Sequence, residues 1–285
     1  MDSFSCHNTP PLVSVIIPSG DSHRTIKAAI DSVLNQTYPR IETIVVLNGE
    51  CGTTPDIISA YTDIKILSIG QPNAYIARQY GAEHSSGEFI MFLDADDLLH
   101  KRAVTEAVNA IMGSSADIVQ MKLTQFATKY HMTLRWKFPC HYDSLNALKG
   151  IVSDTSLYNP GISAKLYRRQ TLMPFPHIGY SGFWGEDRLC NMHIFSRHPV
   201  ATYAPSSIYY YRYGGASRNM TRKGLQEEIH TVHQLKINFL ETNNLRHFIH
   251  DAEKEYVDLC KIISRYHNPP VALKIKMCIS KLLSQ

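Results

Sequence analysis

Three aspartates fall within four residues at Asp94-Ala95-Asp96-Asp97, directly behind the apolar run Phe89-Ile90-Met91-Phe92-Leu93. Carboxylates so close repel one another, and each resists ionisation unless a cation neutralises the group. A hard divalent cation does this naturally. Mg2+ takes oxygen ligands, usually one or two carboxylates together with phosphate oxygens of a substrate, and Mn2+ accepts the same donors. Taken singly, Asp97 also reads as an acid at a helix N-terminus. A second acidic pair, Glu186-Asp187, closes a glycine- and aromatic-rich stretch, Gly179 to Gly185, that carries Tyr180, Phe183 and Trp184. On its own that pair reads as acids favoured by a helix dipole.

The elements that must position these residues follow from hydrophobic spacing. Residues 12–17 form a short buried-strand run closed by Pro18. A helix follows, with Ile26, Ala29, Ile30, Val33 and Leu34 on one face, and it stops before Pro39. Strands are predicted at 43–47, ahead of the turn signal Asn48-Gly49, and at 64–69, 88–93 and 117–121. Helices are predicted from Thr54-Pro55 to about Tyr61, over 74–84 and over 101–112. Near-continuous apolar strands alternating with helices imply an α/β fold with a mainly parallel sheet covered on both faces. Ligands of such sheets lie beyond the carboxyl ends of the strands, where Asn48 and Asp94 to Asp97 fall. After residue 125 the pattern changes. An extended stretch at 126–136, a short helix from Asp143, a helix after Glu186 and strands over 200–213 are expected. Helix then runs from about 219 to the end, interrupted near Asn268-Pro269-Pro270.

Composition bounds the rest. The chain has 285 residues, 44% hydrophobic and 19% charged, enough for a sizeable core without disulfide staples. A net charge of +4 suits phosphate-bearing substrates or an anionic membrane surface, and no nucleic-acid partner is implied. Cysteines 6, 51, 140, 190, 260 and 278 are scattered, without zinc-knuckle or CxxC spacing, as expected of free thiols in a reducing cytoplasm. Met1 to Pro11 lacks the apolar core of a secretory signal, and no apolar run reaches the roughly 20 residues of a membrane span. A cytoplasmic protein is expected, soluble or peripheral on the membrane. Val271, Ile275, Ile279 and Leu282 beside Lys274, Lys276 and Lys281 would make an amphipathic helix, either packed on the protein or lying on an anionic membrane. His230 and His233, three residues apart, read as packing rather than metal ligands. No GxGxxG or P-loop occurs. A nucleotidyltransferase would want a basic glycine-rich loop after the first strand, and Pro18-Ser19-Gly20-Asp21 is acidic instead.

Several segments in order carry a more specific signal. Val13-Ser14-Val15-Ile16-Ile17-Pro18, Ala29 to Tyr38, Ile41 to Val46, Ala77-Arg78-Gln79-Tyr80-Gly81, Gly87 to Asp97, Gly185-Glu186-Asp187 and Tyr209-Tyr210-Tyr211-Arg212 resemble, in sequence order, the motifs of family-2 inverting glycosyltransferases of the GT-A fold, the type that works in bacterial surface-polysaccharide assembly. The resemblance covers roughly residues 12–220. It implies a GT-A domain over 1–220, with a donor half to about 125 and an acceptor half over 126–220. Residues 221–285 would be a helical extension. It further implies sugar transfer from a nucleotide-diphosphate donor, a UDP-sugar in the usual case, to a hydroxyl of a saccharide or lipid-linked acceptor.

By the same resemblance Asp96 would hold Mn2+ or Mg2+ with Asp94, which also reaches the nucleotide. Asp187 would be the catalytic base with Glu186 beside it. Pro18, Asn48, Arg78 and Arg212 would line the donor, the two arginines near the diphosphate. Phe183 and Trp184 would form an acceptor shelf. Each of these has a plainer reading: surface salt bridges for the arginines, core packing for the aromatics. The sequence departs from the family at Gly20-Asp21, where Tyr-Asn is usual, and at Gln79, where Asn is usual. It departs again at Leu47-Asn48-Gly49-Glu50, where an aspartate pair usually reads the base. A catalytically silent nucleotide-sugar-binding protein is the alternative those departures suggest.

Overall fold

The computed structural model describes residues 9–127, 130–132, 141–153, 159–212 and 221–265. The amphipathic segment expected at 271–283 lies outside them, as do the interruption near Asn268 and much of the extended stretch expected at 126–136.

The first half alternates as its apolar runs require: β1 Val13–Ser19, α1 Ile26–Leu34, β2 Ile41–Asn48, α2 Thr54–Ile58, β3 Lys65–Ile69, α3 Ala74–Glu83 and β4 Phe89–Phe92. These strands pair in parallel in the order β3-β2-β1-β4. Every residue of β1 and β4 is buried, because both faces are covered, and only an unbroken apolar run tolerates that. Helix α1 buries Ile26, Ala29, Ile30 and Val33, whereas Leu34, expected on the same face, is exposed at the helix end. Helix α3 lies hard against the sheet through Gly81, where a Cβ would stand 2.5 Å from Ile16 Cγ2 and 3.1 Å from Val46 Cγ2. That close approach fixes how far Arg78, one turn earlier, reaches over the strand ends.

Beyond β4 the sheet becomes mixed. The elements are β5 Leu98–Leu99, α4 Ala103–Met112, β6 Ile118–Ala127, β7 Tyr130–Met132, β8 His141–Tyr142, α5 Ser144–Ser153, β9 Lys165–Arg168, α6 Arg169–Leu172, α7 Glu186–Phe195 and β10 Ala201–Arg212. Strand β9 runs antiparallel between β4 and β6, and β10 lies parallel to β6, giving the order β3-β2-β1-β4-β9-β6-β10-β5. Strand β9 was not expected. Its Lys-Leu-Tyr-Arg sequence reads as surface, yet Lys165, Leu166 and Tyr167 are all wholly buried. Strand β10 shifts register between Ala204 and Ile208, around Pro205, which lacks the N–H that a ladder needs.

Helices α8 Arg222–Thr242 and α9 Ile249–Arg265, joined through a 3-10 turn at Arg246–Phe248, pack into the same core as the sheet. Val232, Phe239, Leu240, Leu245, Phe248 and Ala252 cluster with Ile16, Phe92 and Leu189. A buried charge network ties them further. Glu255 of α9 accepts hydrogen bonds from Arg188 of α7 and Lys236 of α8, and Lys236 Nζ also donates to the Val152 carbonyl at 3.2 Å. Burial opposes ionisation of Glu255, but Lys236 and Arg188 outweigh it and hold the carboxyl below its ordinary value. Its contribution to stability is therefore full above the unfolded-chain value and is lost as pH falls through the lower folded one. The variant Glu255→Gln strips two buried cations of their counter-charge and should cost about 3–5 kcal/mol by urea unfolding. A loss within about 0.5 kcal/mol, the range of an ordinary surface substitution, would mean the network does not hold the C-terminal helices.

No helix among the described residues is long and apolar enough to cross a membrane.

Candidate active site

The centre of the site is Arg78. It projects from α3 into the protein and is only 5% exposed. Its Nη2 donates to Asp94 Oδ1 at 2.7 Å and its Nη1 to Asp187 Oδ1 at 3.0 Å. One guanidinium thus joins the tip of β4 to the first turn of α7. Burial opposes the charge on Arg78, but Asp187, Asp94 and Glu186 keep it protonated.

The other oxygen of each acid is held by one loop, residues 159–164. The Ile162 N–H donates to Asp187 Oδ2 at 3.2 Å, and Ser163 Oγ donates to Asp94 Oδ2 at 3.1 Å. Asp94 and Asp187 are therefore fixed by a closed ring of donors.

Helix α7 opens on Gly185, whose φ of +85° is natural to glycine and strained for other residues. A Cβ there would also stand 3.0 Å from Val232 Cγ1 of α8. Glu186 and Asp187 occupy the first turn, where the dipole favours acids, so the helix-terminus reading of this pair is correct as geometry. Although the Glu186 residue is only half-buried, its carboxyl sits in enclosed surroundings. Burial, and then Asp187, push it up to about 8.

Asp97 is a buttress rather than a helix cap, since α4 begins after Arg102. Asp97 is 1% exposed, and Tyr209 OH donates to its Oδ2 at 2.7 Å while the Arg212 N–H donates to its Oδ1 at 2.6 Å. Burial first, then Asp94 and Asp96, push its carboxyl well above the usual range. The Tyr209 hydroxyl also receives the Asp94 N–H at 3.2 Å, and Arg212 Nε donates to the Asp96 carbonyl at 2.6 Å. Arg212 lies over the Phe126 ring at 4.7 Å. The end of β10 thereby braces the whole Asp94–Asp97 turn.

Pro18 and Asn48 lie at the carboxyl ends of β1 and β2, on the same sheet edge as Asp94. Asn48 is 8% exposed, and its Oδ1 finds no hydrogen-bond partner among the described residues. Gly20 lies beside it, where a Cβ would make an ordinary contact of 3.4 Å with that oxygen. Phe183 is 67% exposed, its N–H held by Glu228 of α8 at 3.2 Å. Trp184 is half-buried beneath the Arg188 guanidinium at 5.9 Å, and its carbonyl accepts from Tyr180 OH. The shelf residues thus divide: Phe183 faces solvent, and Trp184 is partly packing. His233 stacks on Tyr256 at 4.1 Å, in keeping with a packing role.

Among the described residues no three His, Cys, Asp or Glu side chains converge as a closed metal cage. Both Asp97 oxygens are occupied inside the protein, and those of Asp94 by Arg78 and Ser163. The donor set still fits Mg2+ or Mn2+ of the open kind, one carboxylate or two plus substrate phosphates. Burial is the main cause of the upward shifts of Asp97 and Glu186, with Asp94 and Asp96 adding to the first and Asp187 to the second.

A family model described as glycosyl transferase family 2 matches residues 14–172, more than half of the chain. The chain belongs to glycosyl transferase family 2. Among relatives of this family-2 chain, glycosyltransferase AglE of Haloferax volcanii is 37% identical over 119 residues, 39% of each protein. The poly(ribitol-phosphate) beta-N-acetylglucosaminyltransferase TarP of Staphylococcus aureus is 32% identical over 38% of the chain and 35% of its own length. The match thus spans little more than a third of either relative. The TarS structure from S. aureus in complex with UDP-GlcNAc superposes with a TM-score of 0.67 at 19% identity, covering 87% of this chain and 73% of that one. At that identity the likeness establishes the GT-A type of fold. The matched family segment ends before α7, so Asp187 is supplied from outside it.

The loop at 159–164, Lys165 behind it and Glu228 were not anticipated. The turn-forming Asn159-Pro160-Gly161 was the available signal for the loop; nothing in the local sequence ties Glu228 to Phe183, 45 residues away.

Proposed function

We propose that this family-2 chain transfers one sugar from a nucleoside-diphosphate donor, a UDP-sugar, to an acceptor hydroxyl with inversion at the anomeric carbon. The observation that carries the reading is the single Arg78 guanidinium bound to both Asp94 and Asp187. An acid at the donor strand tip and an acid from much later in the chain are thereby held on either side of one cation, close enough to flank a sugar ring. The binding of UDP and UDP-GlcNAc by the similarly folded TarS supports the donor class, and the names of TarP and of the putative teichuronic acid glycosyltransferase TuaG of Bacillus subtilis support a cell-surface polymer as the destination.

In this reading Asp187 accepts the proton of the acceptor hydroxyl as that oxygen attacks the anomeric carbon. Arg78 orients the base through Oδ1 and meets the departing diphosphate with its charge. Asn48 presents an amide to the base, and its buried unpartnered oxygen gives it a hydrogen bond still to make. Phe183 offers an apolar face to the acceptor. Asp96, with Asp94 beside it, would hold Mn2+ or Mg2+, each Asp94 oxygen keeping a second lone pair beyond its bond to Arg78 or Ser163. That ion supplies Lewis-acid neutralisation of the pyrophosphate.

The test is incubation with a panel of nucleotide sugars and Mn2+, scoring nucleoside-diphosphate release. UDP-sugars should be turned over, EDTA should stop the reaction, and Asp96→Ala should lose it while keeping the wild-type circular dichroism spectrum. Equal turnover in EDTA would remove the metal from the proposal, and no turnover with any donor would leave a silent binding protein.

A further inference from the structure

Lys165 is wholly buried in β9, outside the roles assigned above. A desolvated ammonium is costly and persists only where hydrogen bonds compensate it. Its Nζ donates to the Asn159 carbonyl at 2.8 Å and to the Gly161 carbonyl. Neighbouring carbonyls of the same loop are also taken by side chains. Asn191 Nδ2 donates to Pro160 O at 2.7 Å, Tyr167 OH to Ile162 O at 3.1 Å, Asn159 Nδ2 to Ser163 O at 3.4 Å, and Gln120 Nε2 to Ala164 O at 3.0 Å. Each carbonyl from Asn159 to Ala164 thereby accepts from a side chain, and all but that of Ser163 from outside the loop. Ala164 itself has a φ of +57°, a left-handed conformation that costs an alanine about 1–2 kcal/mol. Such strain persists only where surrounding contacts over-determine the backbone. The same loop donates its Ile162 N–H to Asp187 and its Ser163 Oγ to Asp94.

We infer that Lys165 is a positioning residue: by gripping the Asn159 and Gly161 carbonyls it holds a strained loop whose Ile162 N–H and Ser163 hydroxyl set the geometry of Asp187 and Asp94. The inference rests on the proposed transfer only for its catalytic consequence; the grip itself is independent of it.

The test uses Lys165→Met, Ser163→Ala and the double variant in the full chain. Amide exchange should be at least tenfold faster over 159–164 in Lys165→Met than in wild type, with α3 and β1 unchanged. In nucleoside-diphosphate release, Lys165→Met should lower kcat by ten- to a hundredfold with donor KM within about twofold, and the Ser163→Ala loss should nearly vanish in the Lys165→Met background, since contacts sharing one support are not additive. Unchanged exchange over 159–164, or a kcat loss that multiplies in the double variant, would overturn the inference. If Lys165→Met fails to fold, Lys165→Gln, which keeps an amide donor but no ammonium, decides it: exchange over 159–164 must quicken and kcat must fall, and wild-type exchange there would overturn the inference. If wild type turns over no donor, the glycosyl-transfer reading fails, and the exchange measurement still decides whether Lys165 grips the loop.

Discussion

Asp187→Asn is expected to reduce transfer by roughly a hundred- to ten-thousandfold, the range attributable to a positioned general base. The fold should survive, because the amide oxygen can still accept from Arg78 or from the Ile162 N–H. What disappears is the capacity to take a proton. The adjacent acid is a poor substitute. Glu186, pushed up to about 8 by burial and by Asp187, keeps its proton through neutrality. Glu186→Gln should therefore retain far more activity at pH 7 than Asp187→Asn. The raised value has a stability consequence of definite sign. Between its ordinary value and about 8 the folded chain holds a proton that the unfolded chain has released, so stability falls as pH rises through that interval. Glu186→Gln should flatten that decline in urea titrations at several pH values. Near-wild-type kcat in Asp187→Asn would remove the base assignment, whatever the behaviour of Glu186.

The second large effect concerns Arg78. Arg78→Met leaves Asp94 and Asp187 facing one another without the cation between them. Breaking a buried ion pair from one side costs about 3–5 kcal/mol, and each acid is about a quarter exposed, so the lower end is expected here. Displacement of the base by even 1 Å is enough to cost about a hundredfold in rate. kcat/KM should thus fall by at least that factor. Arg78→Lys should not rescue it, since a single ammonium cannot present the two-pronged fork that reaches both carboxylates. Full activity in Arg78→Lys would show that charge alone suffices and that the bridge is incidental.

The parallel half of the sheet was legible because β1, β2 and β4 are buried on both faces and leave a bare apolar signature, and the acids at the end of β4 stood out for the same reason. The rest was hidden by exceptions to polarity. Strand β9 carries an interior lysine and so looks like surface. Asp97 looks like a cap because its partners, Tyr209 and Arg212, lie more than a hundred residues away. The bridging role of Arg78 needs α3, β4 and α7 in place at once; its spacing from Asp187 says nothing of contact. Trp184 reads from the sequence either as an acceptor shelf or as packing, and only the assembled fold shows Arg188 over its ring.

The helix that bears Asp187 is anchored through Arg188 to Glu255, and the residue that caps its start, Gly185, is seated against Val232. The two C-terminal helices are consequently not interchangeable parts. A chimera that joins residues 1–220 to the tail of another family member inherits a foreign surface against α7, and grafting should work only if the new tail brings an acid for Arg188 and a side chain that leaves Gly185 the space Val232 leaves it. Substitutions in α8 or α9 that alter Val232 or Glu255 are thereby coupled to the placement of α7.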